Sequence, residues 1–196
     1  MADAAVGLIG WERALMAAEK VKERLRRATK ALDDAGVPYA VAGGNAVAEW
    51  VARADEGAVR NTRDVDLLIR RTDLPAARAA LETAGFVYHQ VLDVDMFIDG
   101  PNGRPKDAVH VLFAREKVRP DHATPAPDVA ESEPAAHFQV VSLNALVQMK
   151  LNSFRLKDRV HLLDLIGVGL VDQTWPTRLP PELAARLQQL LDNPDG

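Results

Sequence analysis

Two aspartates lie two residues apart in the segment TRDVDLLIR, which spans residues 62–70. Asp64 and Asp66 alternate with apolar residues, and alternate side chains of a strand point to the same face. The pattern therefore predicts a strand over 64–69 with both carboxylates on one face. Two such carboxylates repel each other, and a bound divalent cation removes that repulsion. Because Mg²⁺ favours one or two carboxylates together with water and substrate phosphates, the pair is a candidate ligand set for Mg²⁺ or Mn²⁺, and a solvated acidic strand face is the alternative.

A pair of glycines precedes this acidic segment. Gly43 and Gly44 stand where a short apolar strand is expected to turn into a helix over 45–54. A helix N-terminus offers free N–H groups and a partial positive charge, and a glycine backbone lets a phosphate come close. We predict a phosphate site at Gly43, Gly44 and Asn45, with a tight turn that binds no ligand as the alternative. The segment is neither a P-loop nor a dinucleotide fingerprint, because the further Gly, Lys and Ser/Thr residues of those motifs are missing.

Composition limits the remaining choices. The 196 residues are 47% apolar and 27% charged, which is typical of a globular chain, and the net charge of −4 gives no overall attraction to nucleic acid. The absence of cysteine excludes disulfides and thiolate chemistry. With 5% aromatic residues, a stacking surface for single strands is not expected. We see no signal peptide and no apolar run that would span a membrane, and we expect a cytoplasmic protein.

The periodicity predicts an α+β fold: a small mixed sheet with flanking helices and a helical C-terminal part. Strands are expected at 39–43, 64–69, 86–92, 94–99, 108–114 and 137–141, and helices at 11–35, 45–54 and 74–84. The proline-rich segment 119–136 predicts a surface loop, and Ser142 has the residue type of a helix N-cap. We divide the chain into an N-terminal helix (1–35), an α/β core (36–141) and a helical C-terminal part (142–196).

The order of these motifs resembles the nucleotidyltransferase superfamily, which has the DNA polymerase β-like fold. Its signature is Gly-Gly or Gly-Ser at the start of a helix, followed by Asp-x-Asp or Asp-Glu on the next strand. Gly43, Gly44, Asp64 and Asp66 match that signature here. The resemblance implies a metal-dependent transfer of a nucleoside monophosphate from a nucleoside triphosphate.

The same superfamily normally has a third carboxylate on a neighbouring strand, and DAVHVLFA has His110 at the corresponding place. An imidazole can bind a metal, or it can act as a general base because its pKa lies near 6.5. Three other acids, Asp93, Asp95 and Asp107, are alternatives for the third carboxylate. His110 therefore keeps a second interpretation open, in which the fold binds nucleotide or a partner but has lost activity.

A second resemblance lies in LVQMKLNSFRLKDRVHLLDLI, at residues 146–166. It resembles the C-terminal motif of AbiEii-type nucleotidyltransferases, the toxins of a toxin–antitoxin pair. The matching residues are Lys150, Arg155, Lys157, Asp158 and Asp164, and His161 stands where those proteins often have an acid. The resemblance implies that Lys150, Arg155, Lys157 and Asp158 belong to the nucleotide site, and that an antitoxin is a partner. Asp158 can instead orient Lys150 or cap the next helix.

The acceptor hydroxyl stays open at this stage: RNA, a protein or a small molecule would all serve. A phosphodiesterase or another metal hydrolase is a third interpretation. Such an enzyme would normally need more histidine and acid ligands than the five scattered histidines offer.

Overall fold

The computed structural model describes residues 2–193, with side chains from Gly10 onward, and within them it contains six α-helices and one seven-stranded mixed sheet. The helices are α1 (Ala2–Asp34), α2 (Gly43–Ala54), α3 (Leu74–Thr83), α4 (Leu143–Ser153), α5 (Leu156–Gly167) and α6 (Pro181–Asp192). The strands are β1 (Tyr39–Ala42), β2 (Val65–Ile69), β3 (Phe86–Val91), β4 (Val94–Asp99), β5 (Val109–Phe113), β6 (Ser132–Pro134) and β7 (Gln139–Val141). The predicted α+β class with a mixed sheet is confirmed.

Strand β2 lies in the middle of the sheet, whose order is β3-β4-β5-β2-β1-β7-β6. It pairs antiparallel with β1 and parallel with β5. The alternation in its sequence is explained by this position, because Val65, Leu67 and Ile69 are buried on one face while Asp66 and Leu68 lie on the other. The strand thus contributes to the core on one side and presents a carboxylate on the other.

Helices cover both faces of the sheet. On the first face, α1 and α3 pack through residues such as Leu32 and Leu81 against β2 and its neighbours. On the second face, α2, α4, α5 and α6 share one core, to which Leu146 and Leu162 contribute, with Leu68 of β2. A separate small cluster around Met96 lies on the β4 and β5 part of that face. Asp66 therefore lies where the helical layer meets the β5 side of the sheet.

Several element boundaries differ from the sequence prediction. Helix α1 begins at Ala2 rather than at residue 11, and α2 begins at Gly43, so that both glycines belong to its first turn. The loop predicted over 119–136 contains β6, which pairs with β7 and so forms an edge of the sheet. Ser142 caps α4 as predicted, because its hydroxyl accepts a hydrogen bond from the Ala145 N–H at 3.3 Å. No helix in the part of the chain that is described is long and apolar enough to cross a membrane.

Candidate active site

The glycine turn touches one of the two predicted acids. Gly43 has a φ of +63°, in the left-handed region that favours glycine. It follows Ala42, which is the cross-strand partner of Asp66. A Cβ atom at Gly43 would overlap the Oδ2 of Asp66 and lie 2.7 Å from its Cγ. Position 43 thus requires glycine for its backbone conformation and again for its contact with the carboxylate.

The second glycine fits against the loop that leads into β2. A Cβ atom at Gly44 would lie 2.6 Å from the hydroxyl oxygen of Thr62. The side-chain amide of Asn45 donates a hydrogen bond to the backbone carbonyl of Asp64 at 2.7 Å. The first turn of α2 is therefore fastened to the segment that carries the acids. Sequence reasoning missed Thr62, because a threonine in a loop carries no pattern that distinguishes it.

Asp64 and Asp66 are both partly buried; Asp66 lies on β2, and Asp64 precedes the first residue of that strand, so the predicted strand begins one residue too early. Within the described residues, neither carboxylate accepts a hydrogen bond or forms an ion pair, so the pair is not neutralised by arginine. Burial raises the pKa of Asp66; the charges of His110 and Lys150 oppose that rise, and the charge of Asp64 adds to it. A bound cation would therefore offset the burial of Asp66 and the repulsion between the two carboxylates.

His110 lies beside Asp66, as the registered partner of that residue across the parallel β2–β5 pair. Registered residues of neighbouring strands point to the same face, so the imidazole and the carboxylate share one surface. Met96 of β4 is the partner of His110 on its other side. The geometry thus brings His110 to the place of the expected third ligand.

The three alternative acids lie elsewhere. Asp95 is buried on the opposite face, where the Tyr88 hydroxyl donates a hydrogen bond to it. Asp107 accepts a hydrogen bond from Arg104 at 2.7 Å, and Asp93 lies in the exposed turn between β3 and β4. None of the three is a registered neighbour of Asp66, whose partners on the adjacent strands are Ala42 and His110.

Lys150 and Asp158 form a buried ion pair between α4 and α5. The Lys150 Nζ lies 3.2 Å from one carboxylate oxygen of Asp158, and the side chains are 7% and 1% exposed. Arg155 donates a hydrogen bond to the other oxygen at 2.7 Å. Burial lowers the pKa of Lys150, while Asp158 and then Asp66 act to keep it protonated. Lys150 is thus paired with Asp158, and its pKa is also influenced by the charge of Asp66.

The structure changes the interpretation of Asp158 itself. It does not cap α5, because that helix begins at Leu156 with Arg155 as its N-cap residue, and Asp158 lies inside the first turn. Burial raises the pKa of Asp158, but the hydrogen bond from Arg155 and the charge of Lys150 outweigh it, so the pKa is lowered. Both carboxylate oxygens are engaged with these two basic groups, which gives Asp158 the contacts of a positioning residue.

The remaining residues of the C-terminal motif surround this ion pair. Lys157 is exposed, and its charge lowers the pKa values of Asp66 and of Lys150, which places it near both. His161 is partly buried: burial first, and the charge of Lys150 next, lower its pKa to about 4. Its Nδ1 is buried without a hydrogen-bond partner in the structure. Asp164 accepts a hydrogen bond from Arg60 at 2.8 Å, which ties α5 to the loop before β2.

The donor set suits a cation that takes part of its coordination from a substrate. No group of three or more His, Cys, Asp or Glu side chains is arranged for a metal within residues 2–193. Asp64 and Asp66 supply two carboxylates without protein partners, and Mg²⁺ commonly binds one or two carboxylates plus phosphate and water. The residues therefore fit Mg²⁺ or Mn²⁺ bound together with a polyphosphate.

Comparison with solved structures supports the fold. A nucleotidyltransferase-like antigenic protein from Paracoccidioides brasiliensis is 17% identical, with 90% of each chain covered and a TM-score of 0.56. A protein from H. pylori assigned to the nucleotidyltransferases is 14% identical, with 91% of this chain and 78% of that one covered and a TM-score of 0.51. ANT(2″)-Ia, solved with adenylyl-2″-tobramycin, is 17% identical, with 86% of this chain and 93% of that one covered. Its TM-score of 0.43 is too low for a conclusion about the fold of this chain.

Comparison of the sequence with protein families gives a direct assignment. No curated protein matches the sequence. The family described as uncharacterised nucleotidyltransferase matches residues 11–141, which is well over half of the chain and includes the glycine turn, both aspartates and His110. The chain belongs to this uncharacterised nucleotidyltransferase family.

Proposed function

We propose that this protein transfers a nucleoside monophosphate from a nucleoside triphosphate to an acceptor hydroxyl, using Mg²⁺ or Mn²⁺ held by Asp64 and Asp66. The observation that carries the proposal is the contact of Asp66 with the backbone of Gly43. Because of that contact, a phosphate bound at the start of α2 would be next to the carboxylates. Nucleotidyltransferases generally use divalent cations, and membership of the family supports the reaction type.

The chain contributes two kinds of phosphate contact. The N–H groups in the first turn of α2 are free of helical partners, and the missing side chains at Gly43 and Gly44 leave them accessible to phosphate oxygens. Lys150, Lys157 and Arg155 would add positive charge, and charge-assisted contacts to phosphate are strong. We assign Asp158 to holding Lys150 in place rather than to contacting the nucleotide, since both of its oxygens are engaged.

In the proposed reaction, the acceptor oxygen forms a bond to the α-phosphorus and the bond from that phosphorus to the bridging oxygen breaks. Pyrophosphate leaves, and Lys150 stabilises its charge. We assign His110 to orient the acceptor hydroxyl and accept its proton, because the imidazole lies beside Asp66 on the same surface. A cation bound at the two aspartates would supply neutralisation of the phosphate charge.

We keep RNA, a protein hydroxyl and a small molecule as acceptors. A toxin role with an antitoxin partner is supported by the resemblance of residues 146–166 to the AbiEii type, and by the grouping of Asp158 and His161 around Lys150, whose pKa is influenced by the charge of Asp66.

A second candidate function is an inactive module that binds a nucleotide or a partner. The specific observation that favours it is His110, an imidazole beside Asp66 where the superfamily has a carboxylate. Imidazole is a weaker ligand than carboxylate for Mg²⁺. This candidate predicts nucleotide binding without transfer.

Radiolabel transfer separates the two candidates. Purified protein is incubated with Mg²⁺ and each of four α-³²P-labelled nucleoside triphosphates, in the presence of total RNA, total protein or a metabolite extract. If the protein is an enzyme, label should enter one of these pools, at least a hundredfold less of it with Asp66→Asn. The control Asp107→Asn, in the turn before β5, should leave the yield unchanged. Tight nucleotide binding with no label in any pool would reject the enzyme and favour the module.

A further inference from the structure

The two aspartates of the proposed metal site are held by different parts of the structure. Asp66 is paired on both sides within the sheet, with Ala42 on β1 and with His110 on β5. Strand β2 begins at Val65, so Asp64 belongs to the loop that leads into the sheet. The position of the Asp64 carboxylate therefore depends on what holds this loop.

One side chain ties the loop to the start of α2. The Nδ2 of Asn45 donates a hydrogen bond to the backbone carbonyl of Asp64 at 2.7 Å. Within the part of the chain whose side chains are described, no other side chain forms a hydrogen bond with residues 61–64. Thr62, in the same loop, lies against Gly44. Asn45 thus connects one proposed metal ligand directly to the helix that begins at the glycine turn.

Asn45 lies on the side of α2 that faces α1. It borders a cavity of about 220 Å³ together with one stripe of α2 residues, Ala48, Glu49 and Ala52, and with residues of α1 such as Leu25. Among the described residues, neither Asp66 nor Lys150 borders this cavity. The amide of Asn45 is engaged with the loop, whereas Asp66 lies against Gly43. These contacts suit a residue that holds the loop better than one that contacts phosphate.

We propose that Asn45 is a positioning residue, which fixes Asp64 for the divalent cation rather than contacting the nucleotide. The inference rests on the proposed function, because it concerns the cation that Asp64 and Asp66 would hold. Mg²⁺ demands nearly ideal octahedral geometry, and two neighbouring carboxylates repel each other while the metal is absent. A carboxylate that lies beyond the end of a strand would be free to move away from its neighbour. The hydrogen bond to the backbone of Asp64 restricts that movement.

An asparagine has the chemistry that this position requires. A backbone carbonyl only accepts hydrogen bonds, and the side-chain amide supplies a donor for it. Aspartate at position 45 would offer the carbonyl no donor and would add a third negative charge close to the two acids. Leucine has a similar shape but no donor, whereas glutamine keeps the donor on a longer stem, for which the neighbouring cavity has room. Variants at position 45 therefore separate the hydrogen bond from the shape.

Binding of Mn²⁺ in the absence of nucleotide tests the inference, since electron paramagnetic resonance distinguishes free from bound Mn²⁺. Asn45→Leu should bind Mn²⁺ about tenfold more weakly than wild type, the scale typical of losing a group that orients a metal ligand. Asn45→Gln should bind more tightly than Asn45→Leu. Glu49→Gln is the matched control on the same side of α2, where Glu49 pairs with Arg53 at 3.0 Å, and it should bind as wild type does. Asn45→Ala also removes the amide and replaces Asn45→Leu if that variant is unfolded in urea melts.

Calorimetry with inorganic tripolyphosphate in EDTA tests the phosphate site without metal. Asn45→Leu should bind tripolyphosphate as tightly as wild type, because the N–H groups of α2 and Lys150 are unchanged. Weaker binding would show that Asn45 contacts phosphate and would overturn the inference.

The inference and the proposed function can fail separately in the Mn²⁺ titration. If Asp64→Asn binds Mn²⁺ as tightly as wild type, the proposed function loses its metal site and the inference falls with it. If Asp64→Asn loses Mn²⁺ while Asn45→Leu and Asn45→Ala keep the affinity of wild type, the metal site stands and only the role of Asn45 is overturned.

Discussion

Asp66 lies against the backbone of Gly43, so closely that any side chain at position 43 would occupy the space of its carboxylate. Two motifs that are far apart in the sequence thus meet at the junction of β1 and α2. The contact depends on the antiparallel pairing of β1 with β2, which places Ala42 opposite Asp66. The remaining site residues are arranged around this junction.

Gly43→Ala is expected to abolish binding of a nucleoside triphosphate. The left-handed backbone alone should cost about 1–2 kcal/mol of folding stability, and the added methyl group must also displace the carboxylate of Asp66. Gly36→Ala is the control, because Gly36 has a φ of +62° but open space around its Cβ position. Both variants should lose stability in urea melts, while only the first should lose nucleotide binding by calorimetry. Unchanged binding by Gly43→Ala would contradict the site.

Asp66→Asn is expected to melt at a higher temperature than wild type when no metal is present. Burial raises the pKa of Asp66, so the folded state disfavours its charged form at neutral pH, and the amide removes that cost. Added Mn²⁺ should raise the melting temperature of wild type but not of Asp64→Asn or Asp66→Asn. An equal rise in all three proteins would place the cation elsewhere.

Asp158→Asn is expected to destabilise the protein strongly, because it leaves the ammonium of Lys150 buried without its counter-ion. Loss of one partner of a buried pair costs about 3–5 kcal/mol, whereas an exposed pair is worth at most about 1 kcal/mol. Glu82→Gln, which breaks the exposed pair with Arg78, is the control. The double variant Lys150→Met/Asp158→Asn should lose less stability than the sum of the single variants. Additive losses would show that the pair is not coupled.

Folding stability is expected to fall as the pH drops from about 6.5 toward 4, in part because of His161. Its folded pKa of about 4 lies below the value of the unfolded chain, so acid protonates the unfolded state first and favours it. His161→Gln should lose less stability than wild type between pH 7 and pH 5 in urea melts, because it cannot take up that proton. A fall of the same size in both proteins would assign the pH dependence to other groups.

The position of β2 and the face of Asp66 could be predicted, because alternation in a central strand is a strong local signal, but the strand begins at Val65 and leaves Asp64 just before it. The place of His110 followed from the same rule on β5. The site as a whole depends on which strands pair. Asp95 points to the face of the sheet opposite to His110, and only the register of β3, β4 and β5 shows this. Strand pairing is a long-range property that a single sequence does not display.

Other features could not be inferred from local pattern. Asp158 has the residue type of an N-cap, which left its role open, whereas its contacts with Lys150 and Arg155 decide that role. Thr62 carries no signal of its contact with Gly44. The sequence showed the helical periodicity of α1, but not that only part of its apolar face would be covered.

A crystal structure of the protein with Mn²⁺ and a triphosphate analogue whose α–β bond cannot be cleaved would test the central claim most directly. Anomalous scattering locates the metal without reference to the protein model. We predict Mn²⁺ within coordination distance of both Asp64 and Asp66, with the phosphates at the N–H groups of Gly43 and Gly44 and Lys150 facing them. Metal and triphosphate bound on a different surface, with the two aspartates uncoordinated, would contradict the account.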